Sequence, residues 1–171
     1  MNRRPRVLVA GVGNIFLGDD GFGVEVARRL AAADLPEGVE VADFGIRGVH
    51  LAYQLLDGYD LVVLVDASPR GGEPGSVYVI EPTRDAGADA EQASMVDAHD
   101  MEPGAVLALL EALGGTPGRV LVVGCEPAEV TERIGLSEPV AGAVDRAAEV
   151  VRELVMEVEP GSTQATTPRR G

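Results

Sequence analysis

Two adjacent carboxylates, Asp19 and Asp20, follow the glycine-rich segment Gly11-Val12-Gly13-Asn14-Ile15-Phe16-Leu17-Gly18, where an apolar run gives way to a helical pattern. A glycine-rich strand-to-helix turn ordinarily offers its N–H groups and the positive end of a helix to a phosphate. Here the chain supplies the anion itself. The dinucleotide fingerprint would need its third glycine where Phe16 stands. A P-loop is excluded more firmly, because all 14 basic residues are arginine and no lysine exists to reach a phosphate. The carboxylates point instead to a bound cation.

Asp66 follows the apolar run Leu61 to Val65, and His99 comes just before a helical pattern. In a doubly wound sheet, ligands bind outside the carboxyl ends of the strands, near the point where strand order reverses. If the first and third strands are neighbours, Asp20 and Asp66 flank that point. Two carboxylates and an imidazole make a three-ligand site for a divalent ion, with positions left open for water or substrate. Such an ion polarises a carbonyl and lowers the pKa of its bound water, which suffices for amide hydrolysis.

Each residue also has a plainer reading. Asp19 or Asp20 could cap the first helix, although only one can hold the cap position. Asp66 could be a solvated strand end, and His99 a surface residue of a polar loop. Cys125, the lone cysteine, ends an apolar run and reads as packed structure rather than as a nucleophile. His50 reads as a surface or substrate-contacting residue. Neither HExxH nor GxSxG occurs.

Positioning these residues requires an alternating α/β order. Apolar runs at Val7–Val12, Val39–Ala42, Leu61–Val65, Val77–Ile80 and Val120–Val123 read as strands. Helices are predicted at about Asp20–Ala33, burying Phe22, Val26, Ala27, Leu30 and Ala31, and at about Val49–Leu56. A third carries Val106, Leu109, Leu110 and Leu113 on one face, with Pro103 in its first turn and Gly114-Gly115 at its end. The last is expected over Pro139–Val158, with Ser137 as its cap. The connection Arg70–Gly75 is too short for a crossover helix, so the strand after it should turn back as an antiparallel edge. These elements predict a single three-layer α/β/α domain over residues 6–158, around a mostly parallel sheet of about five strands. Residues 1–5 and 159–171 are expected to be disordered.

A length of 171 residues, 46% of them hydrophobic, is enough for one buried core. A formal charge of −14 argues against nucleic acid and anionic lipid as partners. The run after Arg3, Arg4 and Arg6 is too short for a signal peptide, and no run approaches a bilayer span. A cytoplasmic monomer is the expectation.

Taken together, Gly11-Val12-Gly13-Asn14, Asp19-Asp20-Gly21, Asp43-Phe44-Gly45, Val65-Asp66-Ala67 and His99 resemble the hydrogenase maturation endopeptidases over roughly residues 6–157. Gly124-Cys125-Glu126-Pro127 and Ile134-Gly135-Leu136 also resemble segments of that family. The resemblance implies a nickel-dependent enzyme that trims a C-terminal extension from the large-subunit precursor of a nickel-iron hydrogenase. Nickel would arrive in the precursor itself. The family's metal-contacting positions fall on Asp20, Asp66 and His99, where some members use glutamate at the first. By position, Asp43, Gly45, Arg47 and Gly48 would hold the incoming peptide, with Arg47 pairing to a carboxylate. Two other readings stand beside this one. The first is a recognition partner of the precursor without hydrolytic activity. The second is a nucleotide-binding domain in which Asp43 accepts a ribose hydroxyl.

Overall fold

The computed structural model describes residues 4–82 and 103–158. Strands β1 (Val7–Val12), β2 (Val39–Gly45), β3 (Leu61–Ala67), β4 (Val77–Ile80) and β5 (Arg119–Cys125) form one sheet in the order β2-β1-β3-β5-β4. The pairs β1–β2, β1–β3 and β3–β5 are parallel, and β4 runs antiparallel to β5. β4 turns back after the short Arg70–Gly75 connection, as its length requires. Its partner, however, is β5, which inserts between β3 and β4.

Strand order reverses between β1 and β3, since the chain leaves β1 for β2 on one side and then crosses to β3 on the other. The first and third strands are therefore neighbours. β1, β3 and β5 are apolar on both faces because both faces are covered. On one face Val7, Val9, Val63, Val65 and Val123 meet α1 (Phe22–Ala31) and the two helices near the C-terminus. On the other face Leu8, Ala10, Val62, Leu64 and Val122 meet α2 (Gly48–Leu55) and α3 (Pro103–Ala112). Burying each of these valine and leucine side chains is worth about 1.5–3 kcal/mol, so the core is distributed over two clusters.

Phe22, Val26, Ala27 and Leu30 form the buried stripe of α1, whereas Ala31 is exposed at the last turn. The helix begins later than the pattern implied. Gly18–Gly21, including both aspartates, forms a 3-10 turn first. In α3, Val106 and Leu110 are buried, while Leu113 lies beyond the helix end and is more than a third exposed. The last predicted helix is in fact two, α4 (Glu138–Ala141) and α5 (Val144–Met156), separated at Gly142-Ala143. Val140, Val144, Ala147 and Val151 are nonetheless all buried. The break redirects the chain so that both pieces face the same core. The expected disorder at 159–171 lies outside the described residues, as do residues 1–3.

Candidate active edge

The carboxyl ends of β1 and β3 lie side by side, with Gly11 paired to Val65. Asp66 is the next residue of β3 and pairs with Gly124 of β5. It is half-buried and continues the parity of Val62 and Leu64, the face covered by α2 and α3. Asp20 returns to the same edge from the 3-10 turn, and its Oδ2 accepts the Asn14 N–H at 2.7 Å. Gly13 makes this approach possible. Its φ is +128°, and a Cβ there would collide with the Asp20 carbonyl oxygen.

The Asn14 amide, in the place where a phosphate cradle would offer its N–H, is thus satisfied by the protein's own carboxylate. That disfavours the nucleotide reading on geometry as well as on sequence. Asp20 takes part in no ion pair among the described residues, and its Oδ1 accepts no hydrogen bond among them. A half-buried carboxylate with one oxygen anchored suits an ion. His99 lies outside the described residues, four positions before the first residue of α3. Among the described residues no group of three His, Cys, Asp or Glu gathers into a metal site.

Asp19 has a different task from its neighbour. It is completely buried, and neither it nor Asp20 caps α1 through its side chain. Its Oδ2 accepts the Ala128 and Glu129 N–H groups and the Ser137 hydroxyl, each at 2.8 Å, and its Oδ1 accepts the Ser137 N–H at 2.7 Å. Ser137 does stand at the N-cap position of α4, but its hydroxyl donates to Asp19 rather than capping the helix. Gly18 N–H to Arg133 O and Arg133 N–H to Phe16 O complete the stitching of segment 16–19 to segment 128–137.

Burial pushes the Asp19 carboxyl up, but the hydrogen bonds from Glu129, Ser137 and Ala128 outweigh it and hold the pKa below the ordinary value. A carboxyl depressed on folding contributes stability above its unfolded pKa of about 3.9, and that stability is lost as pH falls through the lower folded value. Asp19→Ala leaves several buried donors without an acceptor and should cost about 3 kcal/mol at pH 7 in urea unfolding. The difference between variant and parent should shrink below about pH 4.

Glu126 plays a parallel part beside β5. Its Oε1 accepts the Arg70 N–H at 2.8 Å, the Gly72 N–H at 2.9 Å and the Tyr78 hydroxyl at 2.9 Å. The Arg70 and Gly72 amides, assisted by Tyr78 and against the effect of burial, hold its carboxyl below the usual range. It thereby fixes the turn that carries the chain from β3 to β4. Its neighbour Cys125 is fully buried, and burial, then the Asp19 and Glu126 carboxylates, push the thiol up to about 11. That is the packed, inert cysteine expected, since nucleophilic thiols have depressed pKa values.

The end of β2 reaches the same edge through a bulge. Gly11 pairs with Asp43 but Val12 pairs with Gly45, and the extra residue, Phe44, is buried. Gly13 N–H donates to Gly45 O at 2.9 Å, which places Asp43 and Gly45 beside the exit of β1, and Gly48 begins α2. Arg47 is not poised for a carboxylate as expected. Its Nε donates to Phe44 O at 3.1 Å and its terminal nitrogen to Asp43 O at 2.6 Å, so the guanidinium is turned back over the strand end. His50 is exposed and lines a shallow depression of about 500 Å³ with Phe44, Tyr53 and Asp57.

Buried Asp19 and Glu126 were the functional supports that sequence reasoning missed. The only cue was their position beside Asp20 and Cys125, because their partners are remote in the chain.

Residues 24–154 match the family model described as hydrogenase maturation protease (HycI). The hydrogenase expression/formation protein HupD of Rhodobacter capsulatus is 35% identical, over 92% of this chain and 77% of its own. The solved structure of the hydrogenase maturating endopeptidase HybD from E. coli superposes with a TM-score of 0.73 at 28% identity, covering 89% of this chain and 93% of that one. The crystal structure of a hydrogenase 2 maturation peptidase from a Thaumarchaeota archaeon is 34% identical, with a TM-score of 0.68 and coverage of 88% and 98%.

Proposed function

This chain belongs to the hydrogenase maturation protease family, and on that premise we propose that its carboxyl edge is the endopeptidase centre that removes a C-terminal extension from the nickel-loaded large-subunit precursor of a nickel-iron hydrogenase. The carrying observation is Asp20, anchored through one oxygen by Asn14 at the edge where β1 and β3 end side by side and Asp66 follows Val65. Asp20, Asp66 and His99 are the residues that would contact the metal. Two carboxylate oxygens and an imidazole nitrogen fit a borderline divalent ion such as nickel, which we take to enter as part of the substrate. When bound, that ion supplies Lewis-acid polarisation of the scissile carbonyl or an acidified water.

The chain's own groups bind and orient. Asp20 is pre-set by the Asn14 amide, so no side-chain order has to be gained on engagement. Asp66 is held in register with Gly124 of β5, one residue beyond the last β1–β3 pair, Gly11 with Val65. The Asp43–Gly48 segment, wrapped over the exit of β1, is the support for the incoming peptide. Three ligands give an incomplete coordination shell, consistent with an enzyme that senses whether the precursor has been loaded. The reducing cytoplasm is the compartment we assign, where a single buried thiol needs no partner. Among the described residues no helix is long and apolar enough to cross a membrane.

Mixing the protein with the nickel-loaded precursor from the same cell, and following the precursor by mass, tests this directly. Loss of one C-terminal peptide is the expected result. A stable complex with no cleavage would instead favour a recognition partner.

A further inference from the structure

Asp20 owes its place to residues far from it in the chain. Within the 3-10 turn its own N–H reaches Leu17 O at a long 3.3 Å. The three residues before it are all bonded outward, to segment 128–137. Leu17 forms a bridge with Arg133, Gly18 N–H donates to Arg133 O at 2.8 Å, and Asp19 N–H donates to Glu129 O at 2.9 Å. Gly18 has a φ of +62°, and a Cβ there would fall 2.9 Å from Glu129 O, so turn and segment meet backbone to backbone. Segment 128–137 contains no helix or strand that could hold it against the turn. The Asp19 carboxylate does so instead, gathering Ala128, Glu129 and Ser137 on four hydrogen bonds.

Stability alone does not call for such a clamp, because well-packed apolar side chains often serve as well as a buried charge with its partners. Hydrogen bonds differ from apolar contacts in having direction. Four of them on two oxygens leave the Asp19 carboxylate one orientation, and the next residue of a tight turn inherits it. On the inner side, Asp20 Oδ2 must meet the Asn14 N–H at 2.7 Å, a contact that tolerates little displacement.

We propose that Asp19, with Ser137, is the positioning residue that sets the Asp20 carboxylate. Segment 128–137 then belongs to the machinery of the centre, although none of its side chains is assigned to the metal. The catalytic consequence rests on the edge being the peptidase centre, whereas the setting of Asp20 can be observed in the free protein.

The Asn14 amide reports that setting, because the resonance of an N–H depends on the acceptor it meets. The test compares the full-length parent with Ser137→Ala, Ser137→Thr, Asp19→Asn and Val151→Ala, the last removing buried volume from α5 but no hydrogen bond of the clamp. Three quantities are measured on each: the Asn14 signal in nitrogen–proton correlation spectra, the melting temperature, and kcat and KM for trimming the nickel-loaded precursor. Ser137→Ala keeps three of the four hydrogen bonds and should fold, move the Asn14 signal and lower kcat about tenfold with KM unchanged. Ser137→Thr, which restores a hydroxyl, should recover most of that loss, and Asp19→Asn should show larger changes of the same kind. Val151→Ala should melt lower yet keep the parent's Asn14 signal and kcat, which separates positioning from stability. An unmoved Asn14 signal in Ser137→Ala and Asp19→Asn would overturn the proposal, as would a moved signal with an unchanged kcat. A moved signal in a protein whose parent never trims the precursor would uphold the clamp and sink the peptidase reading.

Discussion

Asp66→Ala is expected to reduce trimming of the nickel-loaded precursor by at least about 100-fold, the upper range seen when merely a supporting partner of a metal ligand is lost. Asp66→Asn, which keeps the shape and hydrogen-bonding capacity but removes the charge, should be nearly as inactive. The fold should survive both. Asp66 sits at the end of a strand whose flanking residues, Val65 and Ala67, remain buried and whose register with β5 is fixed by seven paired residues. Thermal unfolding and precursor mass, measured on the same preparations, separate the two effects. Normal trimming by the folded asparagine variant would remove Asp66 from the centre.

Gly23→Ala should have the largest effect on stability of any single methyl added to this chain, about 3 kcal/mol or more. Gly23 lies in the first turn of α1, where the helix rests on the ends of β1 and β3. A Cβ there would fall under 3.0 Å from Val65 O, Val12 O and Val12 N. All three are backbone atoms of central strands, so no rotamer change relieves the overlap. Helix and sheet would have to separate, and with them the turn that carries Asp20. Gly104→Ala is the contrast, since nothing lies within 4 Å of the added carbon in the first turn of α3. There the same change should be neutral or gain up to about 1 kcal/mol from helix propensity. Urea unfolding of the pair measures both, and comparable stabilities would show that α1 can lift from the sheet at little cost.

The glycines of the opening segment thus explain why it looked like a phosphate cradle. Close approach of α1 to the sheet needs small residues whether or not a phosphate is bound, so the pattern alone could not distinguish the two. The charge pattern could, and Asp20 accepting the Asn14 amide is its physical counterpart. The strands were legible because β1, β3 and β5 are buried on both faces and read as unbroken apolar runs. β2 and β3 extend beyond their apolar runs, through Asp43 and Asp66, because pairing with a neighbour continues where hydrophobicity stops.

What the sequence withheld is mostly long-range. The periodicity of residues 139–158 could not reveal the break at Gly142-Ala143, because both pieces keep their apolar faces on one core. The insertion of β5 between β3 and β4 leaves no local trace. Ser137 has the sequence position of a helix cap, and only the fold brings a buried carboxylate close enough to claim its hydroxyl. Arg47 turns to the carbonyls of its own strand end because they are nearest, a preference that spacing does not express.

The Asp19 hydrogen bonds span 109 to 118 positions of chain. Closing so long a loop costs entropy that is recovered only after β5 has joined the sheet. A ribosome must therefore release everything through Ser137 before the turn bearing Asp20 gains its final support. The enzyme is subject to the same rule that it imposes on its client: neither is competent until its distant C-terminal part has been dealt with.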